Sequence, residues 1–201
     1  MQIDVENSPP ADVYQALIGS VTPRPIGWVT TVDEEGRVNL APYSFFNAVS
    51  GRPPMVAYAA ARKRDGSIKD SHRNAAAVGE FVWNVATEEL AEAVNVTSLE
   101  LPHGTSEVPI AGLSLVPSVR VRPPRVAESP IHFECRVWKI IPMGEEPTTH
   151  LVIGTVVYMH LAEAILTEKG RVDPRKLKAL GRLGGLFYSR TSDVFELPRP
   201  E

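Results

Sequence analysis

Residues 26–41 read as a β-hairpin, and this pattern constrains the fold of the chain more than any other. The run IGWVTTV at 26–32 is apolar and β-branched, residues 33–36 carry turn chemistry, and residues 37–41 resume a strand. The first β unit is therefore antiparallel, and more strands follow. Residues 55–61 form one, entered through Pro53 and Pro54, which suit a strand entrance and not an interior. EFVWNVA at 80–86 forms another. Two stronger ones lie at 131–141, where Ile131, Phe133, Cys135 and Val137 alternate with polar or bulky neighbours, and at 151–161, with a polar turn at 142–149 between them.

Helical signals are few and short. Ser67, Ile68, Lys69 and Asp70 match a capping box, which predicts a helix running to about Val78. Thr87 followed by two glutamates suits the start of a second helix to about Val96, with Leu90, Ala91 and Val94 as its apolar stripe. Between 42 and 54 a polar and aromatic stretch reads as a corner between strand and loop. Residues 102–130, rich in proline and glycine around one apolar stretch at 113–121, read as long loops flanking an edge strand, where an insertion or lid would sit. Many strands with two small helices make a mainly β chain, a closed or split barrel with short helical decoration. Its 201 residues are expected to form one domain.

Composition narrows the partners. A formal net charge of -3 offers no long-range attraction for nucleic acid or anionic lipid, and neither is expected as a partner. The single cysteine, Cys135, excludes an internal disulfide framework and a thiolate-rich metal site, which fits a reducing compartment. The acidic N-terminal stretch lacks the apolar core of a signal peptide, and no run approaches the roughly 18 apolar residues of a membrane span. A cytoplasmic location is expected.

The usual chemistry-bearing motifs are missing. No glycine-rich dinucleotide fingerprint, P-loop, zinc-binding histidine pair or serine nucleophile elbow occurs. His72, His103, His132, His150 and His160 are scattered without metal-ligand spacing, and no metal is expected. Cys135 lies on the apolar register of its strand, where a thiol is hard to ionise. No side chain is nominated as catalytic. That pattern suits a protein whose reactive atoms belong to a cofactor.

One run, Thr22-Pro23-Arg24-Pro25-Ile26-Gly27-Trp28-Val29-Thr30-Thr31, is followed by Gly36 and by Asn39 through Asn47 (NLAPYSFFN). Further blocks are Arg52-Pro53-Pro54, Lys69-Asp70-Ser71 with Asn74, Glu80-Phe81-Val82 with Asn84, and Arg182-Leu183-Gly184-Gly185 with Tyr188. In this order they resemble the flavin reductase-like family with the FMN-binding split barrel, to which flavoredoxin belongs. The resemblance covers nearly the whole chain. It implies a Greek-key-type six-stranded antiparallel barrel, FMN as cofactor, and a homodimer with the flavin between barrel and neighbouring subunit.

It also implies site residues. Ala41, Pro42, Tyr43, Ser44 and Asn47 would contact the ring, where amides, hydroxyls and aromatic faces suit an isoalloxazine. Thr30 and Thr31 adjoin that segment, one facing the cavity and the other away, though threonine is also favoured in strands without any ligand. For the phosphate the basic stretch before the first predicted helix offers Arg62, Ser67, Lys69, Asp70 and Ser71, with the carboxylate of Asp70 repelling phosphate unless a capping box or a lysine occupies it. An ordinary solvated charge run is the competing reading. Residues 165–201 are expected to pack on the flavin site or the dimer partner. By resemblance Arg182 and Tyr188 approach the flavin, and a dimer-contact arginine is the competing reading. The reaction implied is NAD(P)H-dependent flavin reduction, with hydride passing from nicotinamide to flavin N5 and no side-chain acid or base required. The alternative is a flavoredoxin-like electron carrier that keeps FMN bound and serves a redox protein partner.

Overall fold

The computed structural model describes residues 2–144 and 148–200. In chain order the helices are α1 (Pro10–Ser20), α2 (Asp70–Val78), α3 (Ala91–Val96) and α4 (Pro174–Leu177). The strands begin with β1 (Arg24–Pro25), β2 (Gly27–Val32), β3 (Val38–Tyr43), β4 (Phe46–Gly51), β5 (Pro54–Ala61) and β6 (Glu80–Asn84). They continue with β7 (Leu115–Val116), β8 (Arg125–Val126), β9 (Ile131–Met143), β10 (Thr149–Leu161), β11 (Leu180–Arg182) and β12 (Tyr188–Arg190).

Seven strands form one antiparallel sheet in the order β3-β2-β6-β9-β10-β5-β4. Its edge strands β3 and β4 are joined in sequence by Ser44 and Phe45 alone. A sheet whose opposite edges are two residues apart along the chain has to curl until they meet, which closes it towards a barrel. The Ala59 amide, donating to the Phe45 carbonyl at 2.8 Å, pins the crossover.

Helix α2 packs against several strands of this curl. Its Ala75 is wholly buried among Tyr43, Tyr58, Phe81 and Val152. Every residue of β2 is buried, so its two faces feed two cores: Val29 enters the barrel cluster, while Trp28 joins Leu40, Val94 and Val126 beneath α3 and the following loop.

The mainly β reading and the strands at 26–41, 55–61, 131–141 and 151–161 stand, and the strand expected at 80–86 forms but ends at Asn84. Several local expectations do not. The stretch at 42–54 contains β4, a seventh strand of the large sheet. A helix, α1, precedes the hairpin where none was expected. No capping box forms: Lys69 takes the N-cap position without a side-chain bond, and the Ser67 amide instead donates to Asp65 at 2.8 Å. The second helix opens as a 3₁₀ turn, Glu88–Leu90, and Thr87 caps it with no side-chain bond. The stretch at 113–121 shrinks to a two-residue strand, β7, paired with β8, because Pro117, Pro123 and Pro124 deprive the ladder of amide donors. The turn at 142–149 centres on residues 145–147, outside the described residues.

Candidate functional site

The crossover from β3 to β4, residues 39–47, has a small polar cleft on one side and a large apolar groove on the other. Asn39, Ala41, Pro42 and Tyr43 face the cleft, together with Lys69, Asp70 and Ser71 at the start of α2. Ser44, Phe45, Phe46 and Asn47 face the groove. One short segment thus borders two environments of opposite character.

The cleft encloses about 70 Å³. Lys63 donates to Asp70 at 3.4 Å, and His103 Nδ1 meets the other oxygen of the same carboxylate. The charge of Asp70 is thereby matched within the protein, which answers the repulsion expected of it towards an anion. The Lys69 ammonium lies 5.9 Å from the centroid of the Tyr43 ring. Tyr43 and Ser71 share a hydrogen bond between hydroxyls, and burial pushes the Tyr43 phenol far above its usual range. Asn39 contributes a buried Nδ2 with no hydrogen-bond partner. Burial also raises the carboxyl of Glu107 above the usual range, although the Leu40 amide donates to it at 2.9 Å.

The groove encloses about 660 Å³, within the range of roughly 300–1,000 Å³ usual for small-molecule sites. Leu17 of α1 and Val21 just after it form one wall, Phe45 the crossover side, and Leu151 with Ile153 of β10 the other. Arg24 closes one end. Its guanidinium is buried and donates to the carbonyls of Ile18 at 2.5 Å, Val21 at 2.6 Å and Leu183 at 3.0 Å, while its Nε has no partner. Burial and the nearby Arg182 lower its pKa from the ordinary arginine value. The same guanidinium lies 5.9 Å from the Phe45 ring centroid. One cation thus ties α1, the crossover and the C-terminal hairpin into a single wall.

Of the residues expected from sequence, Ala41, Pro42, Tyr43, Lys69, Asp70 and Ser71 come together in the cleft, and Ser44 and Asn47 in the groove. Thr30 and Thr31 do not join them. Both are fully buried, and their hydroxyls accept from Asn84 at 2.7 Å and Asn74 at 3.2 Å, so the expectation that one faces the cavity fails: β2 has covered strands and α2 on both sides. Arg62 and Ser67 line neither cavity; Arg62 donates to the Gly66 carbonyl at 2.9 Å across their turn. Arg182 donates to the carbonyls of Phe187 at 3.0 Å and Gly185 at 2.6 Å and lies over the Tyr188 ring at 4.4 Å. Both residues therefore build the hairpin between β11 and β12, which approaches α1 so closely that a Cβ on Gly184 would stand 3.1 Å from the Gly19 Cα. Arg24, Asn39 and Lys63 were not nominated from sequence. An arginine between two prolines, Pro23-Arg24-Pro25, was the available signal for the first.

Comparison with known proteins adds a family. Residues 18–188 match the model of the flavin reductase like domain. An uncharacterised protein of Halalkalibacterium halodurans is 41% identical over 203 residues, spanning 100% of this chain and 97% of its own length. Nitrilotriacetate monooxygenase component B from Bacillus cereus superposes with a TM-score of 0.93 at 39% identity, over 98% of each chain. A 2-nitrobenzoate 2-nitroreductase from Pseudomonas fluorescens superposes with a TM-score of 0.89 at 33% identity, over 100% of this chain and 96% of its own.

Proposed function

The chain belongs to the flavin reductase-like family, and from that premise we propose that it binds FMN and uses it to take electrons from NAD(P)H. The observation that carries this reading is the pairing of cavities about residues 39–47. A flavin mononucleotide joins a flat, largely apolar ring to a phosphate through a short polyol, and the crossover separates an apolar groove from a cleft with lysine and hydroxyl donors.

The residues fit the group. Lys69, the Ser71 hydroxyl and the first amides of α2 suit a phosphate, and the unpartnered Asn39 Nδ2 beside them is a buried donor lacking an acceptor. Ala41, Pro42, Tyr43, Ser44 and Asn47 would hold the polyol and the ring. When bound, FMN supplies a ring that accepts a hydride and passes electrons onward. The chain excludes water with the Leu17, Phe45 and Ile153 walls and orients the ring by hydrogen bonds from the crossover. Arg24 keeps the wall rigid. Positioning and these fixed donors are what the protein contributes, and no side-chain acid or base is demanded.

Homodimer formation is part of the proposal. Leu186 and Phe187, at the tip of the hairpin, are 91% and 73% exposed, which is unusual for two adjacent large apolar residues and suits a subunit contact. One structural relative is named as a monooxygenase component and another as a nitroreductase. Electrons leaving the groove therefore go to a protein partner or to a small acceptor.

The test is anaerobic addition of NADH and of NADPH to FMN-loaded protein, following the visible flavin band. Bleaching within the time of mixing by either donor supports the reductase. A band that bleaches with dithionite and with neither nicotinamide assigns the chain to flavoredoxin-like electron carriage instead.

A further inference from the structure

The middle of β9 gathers cations around an exposed tryptophan. At the register shift with β10, Val137 pairs with Gly154 and Lys139 with Ile153, which leaves Trp138 without a residue opposite it. A bulge re-aims the side chain it carries, and Trp138 ends 62% exposed. Its neighbours Arg136 and Lys139 are exposed as well, and so are Arg120 and Arg122 of the loop before β8. The acids beside them are already used. Glu134, wholly buried, accepts from the Val119 amide at 2.8 Å and the Arg120 amide at 2.6 Å and shares a hydrogen bond with His160 Nε2. Glu80, opposite Arg136 in the ladder with β6, accepts from the Arg122 amide at 2.8 Å and lies 4.0 Å from the Arg136 guanidinium.

Two carboxylates thus fix the backbone of the arginine loop and leave its cations largely to other partners. Arg122 turns to the carbonyls of Asp33 and Glu34. The side chains of Arg120 and Lys139 take part in no ion pair among the described residues, and the pair of Arg136 with Glu80 is long and exposed, hence weak. In a chain of net charge -3 this is a local excess of positive charge. The same chain carries a segment of the opposite character. Asp193-Val194-Phe195-Glu196-Leu197 holds two acids and no base among three apolar residues. Phe195 and Leu197 are 86% and 82% exposed, and residues 192–200 make no hydrogen bond or ion pair among the described residues. In an extended chain Asp193, Phe195 and Leu197 share one side.

We infer that residues 193–197 of one copy dock on the patch of Arg120, Arg136 and Trp138 of a second copy, with the acids against the guanidiniums and Phe195 against the indole. Burial of the two aromatic rings supplies the attraction, and the opposed charges set the register. The segment is placed for this. It leaves β12, directly beyond the hairpin proposed above as a subunit contact, and is pinned only at its root, where the Thr191 hydroxyl donates to the Ala179 carbonyl at 2.7 Å. The inference does not depend on the flavin reading.

Fluorescence anisotropy of a fluorescein-labelled synthetic peptide of residues 191–201, titrated with the full chain, tests this. Binding with a Kd below about 200 μM is expected. Arg120→Glu with Arg136→Glu in the chain should weaken it at least about tenfold, and so should Asp193→Lys with Glu196→Lys in the peptide. The reversed peptide on the reversed chain should regain the wild-type affinity to within about threefold. The peptide reversal alone needs no altered protein, so the result stands even where the chain variant fails to fold. Saturating FMN should leave the Kd unchanged. Absence of binding at about 200 μM, or binding that ignores both reversals, would overturn the inference. So would binding that FMN abolishes, which puts the segment in the apolar groove instead.

Discussion

His132 is buried on β9, with Nε2 donating to the Val126 carbonyl at 2.7 Å and Nδ1 without a partner. Burial outweighs that hydrogen bond and pushes its pKa down to about 4. The sign of the linkage follows. Above the unfolded value of about 6.5 both states are neutral and the contribution of His132 is fully present; as pH falls towards about 4, the unfolded chain takes up a proton that the folded chain refuses, and stability is lost. His72, whose pKa is lowered by burial and by His150, acts in the same direction. Between pH 7 and pH 5 the loss from His132 is about 2 kcal/mol. Urea unfolding at the two pH values checks this: His132→Gln, which keeps a donor, should show a shallower pH dependence than the wild type, and an identical slope would remove His132 as its source. At this scale the sequence was informative where a residue's role is set by its neighbours in the chain, as for Ala41 through Asn47 and Lys69 through Ser71. It was uninformative where the role depends on distant partners. Whether Thr30 and Thr31 face solvent or asparagine amides depends on residues 43 and 54 positions away. Arg24 binds the neighbouring carbonyls of Ile18 and Val21, but its link to the C-terminal hairpin comes through Leu183, 159 positions away.

Strand β10 crosses β9 with a register shift beside Gly154, and the ring of Phe81 fills the space over that glycine. A Cβ there would stand 2.4 Å from Phe81 Cε1 and 3.2 Å from the Cys135 Cβ, with Phe81 wholly buried and unable to swing away. Gly154→Ala is therefore expected to cost about 1–3 kcal/mol, as overpacking of a core does. Gly51→Ala, at a strand end with open space around it, is the contrasting case and should be close to neutral. Thermal unfolding of both variants decides the matter: equal melting points would mean that the sheet relaxes around the bulge. The same elements show what pattern reading captures. Long strands with period-two alternation were legible because each buries a face regardless of its partners. Strand β4 was not, since most of its residues are exposed and its pairing with β5 supplies the order that its composition lacks. Helix α1 was hidden for a similar reason. Only Ile18 within it is buried, so no apolar stripe announces it, and Pro10 at its first position was the single signal.

For the whole molecule, the crossover that closes the barrel also separates the two cavities, so fold and site have one origin. A chain that passes directly from one edge strand, β3, to the other, β4, carries its connecting residues past both the α2 start and the β10 face. The hairpin tip extends from the same wall. Substituting both Leu186→Glu and Phe187→Glu is expected to convert a dimer into a folded monomer in sedimentation equilibrium, because two like charges cannot be buried together in a subunit contact. A dimer that survives this change would locate the contact elsewhere. The central claim is that the cleft takes the phosphate and the groove the ring of one FMN, and the most direct measurement compares FMN with riboflavin, which lacks only the phosphate. Equilibrium titration should show FMN binding at least about tenfold more tightly, from charge-assisted hydrogen bonds to the phosphate, and Lys69→Met should remove most of the difference. Equal affinity for the two, or binding of neither, would contradict it.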